Sequence, residues 1–356
     1  MNDKYIYSIG LMSGTSLDGL DIVYVKFHKN DYSEFEIIHS NTIKYSEFWE
    51  ATLKNSIHLD TELLSVLDYD YGQYLGNKTQ EFISKNKITS LDFIASHGHT
   101  VLHQPDKGIT FQVGDGQQIY NITKSTTVSD FRTQDVQLGG QGAPLVPIGD
   151  RILFSEYEAC LNLGGFANIS YEYGDKRIAF DICPVNIVMN YYCKKIGLDF
   201  DDKGVIASKG TVHEGLLEDL NSLDYYLKKP PKSLGLEWVC QFVYPLLDDY
   251  NLDVEDVLRT FIEHIAQQIS IIIHPFNNVL FTGGGVYNDF LIKRIQIHSN
   301  TQIIIPPDDI INYKEALIFS LLGVLKIHDK INCLSSVTGA KINHSSGKVF
   351  NQNISN

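Results

Sequence analysis

Apolar positions fall into short, unbroken or alternating runs and longer stretches of helical spacing, and the two kinds take turns along the chain. Residues 6–12 and 20–25 are apolar runs around a loop of small, hydroxyl and acidic residues, which predicts two strands joined by a turn. Alternation over 35–43 predicts a third strand. Helical periodicity follows over 46–57 and 61–85, where Leu63, Leu64, Leu67, Tyr71, Tyr74, Leu75 and Phe82 share a face and Asp60 stands at the cap position. A short buried strand over 91–96 delivers His97-Gly98-His99-Thr100 to its C-terminal end. Further strands are predicted over 110–113, where the chain breaks into a Gly-rich turn with Asp115, and over 126–132.

The run Leu138-Gly-Gly-Gln-Gly-Ala-Pro-Leu-Val-Pro147 is dense in glycine and proline. From Ala159 the opening logic recurs: an apolar run, a turn at Gly164-Gly165 and a second apolar run. Asp181 ends the next strand, with helix expected from Ile187. The basic stretch 228–235 reads as a loop, a candidate mobile flap. A long amphipathic helix over 254–274 precedes a strand over 278–281, the turn Gly283-Gly284-Gly285 and another helix. A strand over 303–305, a helix opened by Lys314-Glu315 and an alternating tail over 336–350, read as an edge strand, complete the chain.

Strands alternating with helices give an α/β class. A length of 356 residues suggests two domains, and the boundary is placed near residue 131, giving 1–131 and 132–356. Apolar content of 43% against 20% charged is that of a globular protein. The net charge of −14 argues against nucleic acid or an anionic membrane as partner. It leaves room for a small anion held by a few donors. No basic segment followed by an apolar core opens the chain and no apolar run is long enough to span a bilayer, so a cytoplasmic location is expected. Five scattered cysteines, without a Cys-x-x-Cys pair, indicate neither a disulfide framework nor a zinc ribbon, and most read as small buried hydrophobes.

The loop Ser13-Gly14-Thr15-Ser16 offers successive backbone N–H groups and hydroxyls with little bulk, the chemistry of an anion-binding concavity. Asp18 and Asp21 follow, and carboxylates beside a phosphate site suit a divalent cation. No Gly-Lys-Ser/Thr is present, so this is a hairpin and not a P-loop. A second such turn at Gly165 predicts a nucleotide gripped by both domains. His97 and His99, with His103 nearby, suit hydrogen bonding to a polar ligand or to backbone better than a metal, because no later ligand series accompanies them. Arg132 suits a carboxylate or phosphate, or a surface pair with Asp130 or Asp135. Asp181 fits a general base and a helix cap equally well. Glu315 fits a cleft residue and a favourable first-turn charge.

These motifs, in this order, resemble the actin, Hsp70 and sugar-kinase superfamily, and within it the anhydro-N-acetylmuramic acid kinase family. The resemblance rests on Gly10-Leu-Met-Ser-Gly-Thr-Ser-Leu-Asp-Gly19, His97-Gly98 with Thr100, Gly114-Asp115 and Asp130-Phe-Arg132. It continues through the 138–147 run, Asn162-Leu-Gly-Gly165, Ala167-Asn-Ile169, Phe180-Asp181, Gly283-Gly-Gly285, Glu315-Ala-Leu317 and Ser336-Val-Thr-Gly-Ala340. It implies a two-domain α/β fold with an interdomain nucleotide cleft, and an ATP- and Mg2+-dependent kinase of peptidoglycan recycling. That kinase opens the 1,6-anhydro bridge with water and phosphorylates O6, giving N-acetylmuramic acid 6-phosphate. By this resemblance Gly14, Thr15, Ser16, Leu17, Asp18, Gly19 and Gly165 surround the phosphates of ATP, with Asp18 toward Mg2+, and Gly284, Gly285 and Asn288 hold the nucleoside. Asp181 is implied as the base, with His97, Asp115, Arg132 and Glu315 on the sugar side. The expected partners are ATP and a sugar acid, with a second copy of the chain as an allowed one.

The family commonly reads Phe-Asp-Thr-Gly-Pro-Gly-Asn where this chain has Phe180-Asp-Ile-Cys-Pro-Val-Asn186, and Gln where it has His99. Cβ atoms at 183 and 185 are expected to keep the backbone farther from a ligand. Two alternatives follow: a kinase for a different anhydro sugar, or an ATP-switched binding protein of the same fold. Asp181, Arg132 and Glu315 together favour the kinase, since a switch has no use for them.

Overall fold

The computed structural model describes residues 4–14 and 16–352. Twelve strands form two sheets among them. The chain divides into two compact units, Met1–Leu153 with Tyr313–Asn356, and Phe154–Asn312. The division falls after residue 153, not near 131, and the C-terminal segment returns to the first unit. The reason lies in packing: Gly10 of the first strand faces Ala316, and Gly149 faces Ile318, so close that a Cβ at either glycine would collide.

In the first unit, β1 (Tyr5–Ser13), β2 (Leu20–His28) and β3 (Asp31–Ile43) form an antiparallel meander. β1 also pairs in parallel with β4 (Phe93–Gln104), and β4 with β6 (Thr127–Ser129). β5 (Ile109–Val113) returns against β4. The second unit repeats the plan: β7 (Ala159–Leu163), β8 (Phe166–Tyr173) and β9 (Lys176–Pro184) form the meander, while β7 pairs in parallel with β10 (Asn278–Thr282) and β10 with β11 (Gln302–Ile304). The strand orders β6-β4-β1-β2-β3 and β11-β10-β7-β8-β9 are therefore the same. This duplication is the architecture expected from the two glycine hairpins, one in each half.

The expected helices form, together with others, such as Val146–Leu153 and Glu214–Asn221, that the sequence did not signal. Ser46 caps Glu47–Asn55, and Asp60 caps Thr61–Lys85 by accepting the Leu63 N–H at 2.9 Å. Gly72 and Gly76 in that second helix admit the helix Gly116–Thr123, which the Gly-rich turn had not suggested. The helix Val254–Ile273 buries most of one side in the core of the second unit, with Phe261, Ile265 and Ile269. The first unit packs Ile9, Ile22, Leu67, Tyr71 and Leu75.

Four boundaries differ from expectation. β4 runs through residues 97–104, because β5 supplies a partner and Gly98, at φ +70°, lets the strand pass the Val113 carbonyl. The helix Asp308–Ile327 begins six residues before Lys314, so Glu315 lies two turns inside it and gains little from the helix N-terminus. In place of one alternating edge strand, the tail gives a short helix at Ser335–Thr338 and then β12 (Lys348–Phe350), at the sheet edge on β6. The stretch 228–235 is docked against β9, as described below.

Candidate functional site

In the first unit the hairpin loop leaves β1 at Ser13. Leu17 donates its N–H to Gly14 O at 3.3 Å and takes a left-handed φ of +61°, while its side chain packs against the core. The Leu17 side chain thus anchors the loop, whose other backbone groups are the part it can offer a ligand. Gly14 is half-buried, Ser16 and Asp18 are exposed, and Gly19 is buried beside Ile43. Thr15 lies outside the described residues. Asp21, on β2, accepts the Thr42 hydroxyl at 2.6 Å. Burial raises its pKa, the Thr42 hydrogen bond opposes this, and the nearby charge of Asp18 raises it further. Two mutually repelling carboxylates, all-oxygen donors, fit a hard divalent cation.

Behind the loop, Ser13 Oγ lies 2.9 Å from His99 Nδ1 and accepts the Tyr45 hydroxyl at 2.7 Å, and Tyr45 reaches Tyr71 at 2.7 Å. Burial pulls the His99 pKa down to about 4. A neutral ring in this network supports the phosphate-type loop from beneath. His97 faces Arg132 instead. Its Nδ1 lies 2.9 Å from Gly98 O, and a carbonyl can only accept, so Nδ1 carries the proton and Nε2 is an acceptor. Arg132 donates to that Nε2 from Nε at 3.1 Å and from Nη2 at 2.9 Å, and from Nη1 to Gly142 O at 2.6 Å. Burial, then the Arg132 charge, hold His97 well below its ordinary pKa. Arg132 therefore forms no surface pair with Asp130, which binds Lys348 at 2.8 Å. One N–H remains on each terminal nitrogen of its guanidinium, the fork that receives a carboxylate.

Burial lowers Arg132 to about 10, and Glu315 opposes this through its charge. Glu315 is exposed. Its protein surroundings raise its carboxyl pKa and Arg132 and Lys314 lower it, with water screening the balance. Lys314 is itself buried and paired with Asp150 at 2.7 Å, a contact that fixes this part of the helix and that sequence periodicity does not signal. Asp115 is a helix cap: its carboxylate accepts the Gln117 N–H at 2.9 Å and the Gln118 amide at 3.0 Å. Both oxygens of this residue, expected on the sugar side, are therefore already in use.

In the second unit, Gly165 is exposed, and its carbonyl accepts the Val185 N–H at 2.8 Å and the Ile187 N–H at 3.3 Å. The second hairpin is thereby tied to the start of the helix Asn186–Lys195. Gly283, at φ +84°, sits where a Cβ would lie 2.5 Å from Asn162 Oδ1. Gly285 is pressed onto Leu163, whereas Gly284 is exposed with open space above it. Asn288 caps the helix Asp289–His298, accepting the Leu291 N–H at 2.9 Å, so its carbonyl oxygen is occupied and its amide N–H groups remain as donors.

Asp181 stands on β9, five residues before the helix, and does not cap it. A register shift between Ala167 and Asn168 of β8 turns the strand at this point. The expected flap meets it: Asp181 N–H donates to Lys232 O at 3.2 Å, and Leu234 N–H donates to Asp181 Oδ2 at 2.8 Å. Tyr225 adds a hydroxyl bond at 2.5 Å to the Asp181 carbonyl. These backbone contacts leave no trace in residue type, which is why the loop looked free. Burial raises the Asp181 pKa, and the Leu234 N–H opposes that. Ile182, Cys183 and Val185, where the family motif differs, all point into the core of this unit. The substitutions are thus absorbed by packing.

A family model described as anhydro-N-acetylmuramic acid kinase matches residues 6–352. Relatives of that description include proteins from Zymomonas mobilis, 31% identical over 96% of this chain and 99% of the relative, and Vibrio parahaemolyticus, 33% identical over 99% of both. A Francisella tularensis relative of the same description is 32% identical over 95% of this chain and 97% of its own.

Proposed function

The chain belongs to the anhydro-N-acetylmuramic acid kinase family, and on that premise we propose that it uses ATP and water to convert anhydro-N-acetylmuramic acid into N-acetylmuramic acid 6-phosphate in the cytoplasm. The observation that carries the assignment of roles is Asp181: a half-buried carboxylate with a raised pKa, one oxygen held by Leu234 N–H and the other available to water. Asp181 takes a proton from that water as its oxygen bonds to the anomeric carbon. The bond to the bridge oxygen breaks, and this oxygen, now O6, attacks the γ-phosphoryl group with ADP leaving. Phosphorylation prevents the ring from closing again.

Arg132 binds the lactyl carboxylate through its remaining fork, held in plane by neutral His97 and Gly142. Glu315 and Asp115 line the sugar side, whereas His97, expected there, is buried with both ring nitrogens engaged and supports Arg132 from behind. Gly14, Ser16, Leu17, Asp18, Gly19 and Gly165 present backbone to the phosphates, with Thr15 assigned there by motif alone. Gly284 leaves room for the nucleoside, beside Gly285 and Asn288. Asp18 and Asp21 would hold Mg2+, directly or through water, and the ion would supply positive charge to the phosphate oxygens. No helix among the described residues is long and apolar enough to cross a membrane. Self-association into a homodimer is part of the proposal and is read by gel filtration.

The test is ADP release with anhydro-N-acetylmuramic acid, for wild type and Asp181→Asn, with the product weighed by mass spectrometry. The proposal expects a product heavier than the sugar by water plus a phosphoryl group, and loss of turnover in the variant with ATP binding intact. A variant that retains turnover would remove Asp181 from the mechanism. ATP binding without any sugar-dependent turnover in the wild type would remove the substrate assignment.

A further inference from the structure

Away from these residues, the first unit buries three unlike side chains against one another: Asp135, Cys333 and His344, whose ligating atoms lie within 4.8 Å of one another. Asp135 and Cys333 are 0% and 1% exposed and His344 is 7% exposed. Asp135 Oδ1 accepts the Thr338 hydroxyl at 2.7 Å and the Cys333 thiol at 3.0 Å, and its Oδ2 accepts the Gly142 N–H at 2.7 Å.

His344 is the unresolved partner. Its Nδ1 lies 3.1 Å from Ile342 O, which can only accept, so in a neutral ring the lone pair sits on Nε2. That Nε2 makes no hydrogen bond and lies 3.6 Å from the carboxylate oxygen Asp135 Oδ1. Two acceptors facing each other in a buried site are unfavourable unless a metal cation or a second ring proton stands between them. Cys333 and His344 also face each other across an antiparallel bridge, with backbone bonds of 3.1 and 3.2 Å, so both side chains are brought together by the chain itself.

We propose that Asp135, Cys333 and His344 form a structural binding site for a zinc-class divalent cation. Zinc bonds of about 2.0–2.3 Å at tetrahedral angles put neighbouring ligands roughly 3.5 Å apart. The observed 3.0 Å and 3.6 Å separations need only small adjustment to meet this. On binding, the thiol proton leaves to solvent and sulfur bonds the metal. One carboxylate and one thiolate then neutralise the two positive charges, and thiolate with imidazole selects zinc over magnesium. The fourth corner takes a small oxygen ligand. The ion ties the segment 333–344 to the helix Thr133–Gln137, and through Gly142 to the loop that holds Arg132.

The experiment uses full-length protein stripped with a chelator, then titrated with Zn2+ alone and with Co2+ alone. The expected result is one Zn2+ per chain, a rise in melting temperature on binding and a thiolate-to-cobalt charge-transfer band. Cys333→Ser and His344→Gln lose all three, and Cys240→Ser, which alters an exposed cysteine, loses none. Substoichiometric uptake, a cobalt spectrum without the thiolate band, or uptake indifferent to Cys333→Ser and His344→Gln would overturn the site. Should those variants fail to fold, anomalous scattering at the zinc edge from a wild-type crystal decides: density between the three side chains supports the site and its absence refutes it.

Discussion

Replacing Arg132 by lysine keeps one positive charge but removes the planar fork. Three donated bonds, two to His97 Nε2 and one to Gly142 O, hold the guanidinium in place and leave a pair of N–H groups for a carboxylate. A lysine ammonium cannot satisfy both protein acceptors and also present two parallel donors to the sugar. Hydrogen bonds to charged groups contribute about 1.5–3 kcal/mol each. Losing one of the two to the substrate should therefore raise the sugar KM roughly 10- to 100-fold. The lactyl group is remote from the reacting oxygen, so kcat should change much less, and the KM for ATP should stay put. Steady-state ADP release at varied sugar and at varied ATP measures all three. An unchanged sugar KM with a collapsed kcat, or a change confined to ATP, would refute the carboxylate role.

Other outcomes follow from the same geometry. Because Asp181, as the proposed base, would act only when ionised and burial raises its pKa, the acid limb of kcat/KM should lie above the pH of an ordinary aspartate; a limb at or below it would contradict the reading. In stability the sign is opposite to that of a salt-bridged carboxylate: the folded state favours protonated Asp181, and this contribution fades as pH rises through the raised pKa. For Glu263, burial alone would raise the pKa, but Arg294, Arg259 and His298, at 2.7, 2.8 and 2.5 Å, outweigh it and pull the group from 4.5 to about 2. That difference is worth roughly 3 kcal/mol. It is fully present above the unfolded pKa and lost as pH falls from there toward 2, so the urea-midpoint gap between wild type and Glu263→Gln should close over that window. Gly10→Ala would drive a Cβ into the Ala316 carbonyl and should destabilise the first unit by about 1–3 kcal/mol, read as a lower melting temperature.

The local elements and the glycine turns were legible because they are set by near neighbours. Asp60 caps its helix, Leu64, Leu67, Tyr71, Leu75 and Phe82 keep its period while Leu63 turns out to solvent, and two apolar runs around a turn of small residues give each hairpin. The duplication was visible for the same reason, since each half carries its own hairpin signal. Family membership was equally legible, through the order and spacing of motifs. What residue order could not determine was any relation made by backbone or by distant packing. The return of the helix Asp308–Ile327 to β1 depends on the fit of Gly10 to Ala316. The contact between Leu234 and Asp181 passes through a main-chain N–H, which every non-proline residue possesses. Arg132 had several acidic neighbours in sequence, yet the fold gives it His97 and Gly142. Cys333 read as a small hydrophobe because its partners Asp135 and His344 lie in separate stretches of sequence, and only the closed tertiary structure makes the three into a cluster. Periodicity and turn chemistry act over a few residues, whereas these contacts join segments that approach one another only after the chain has folded.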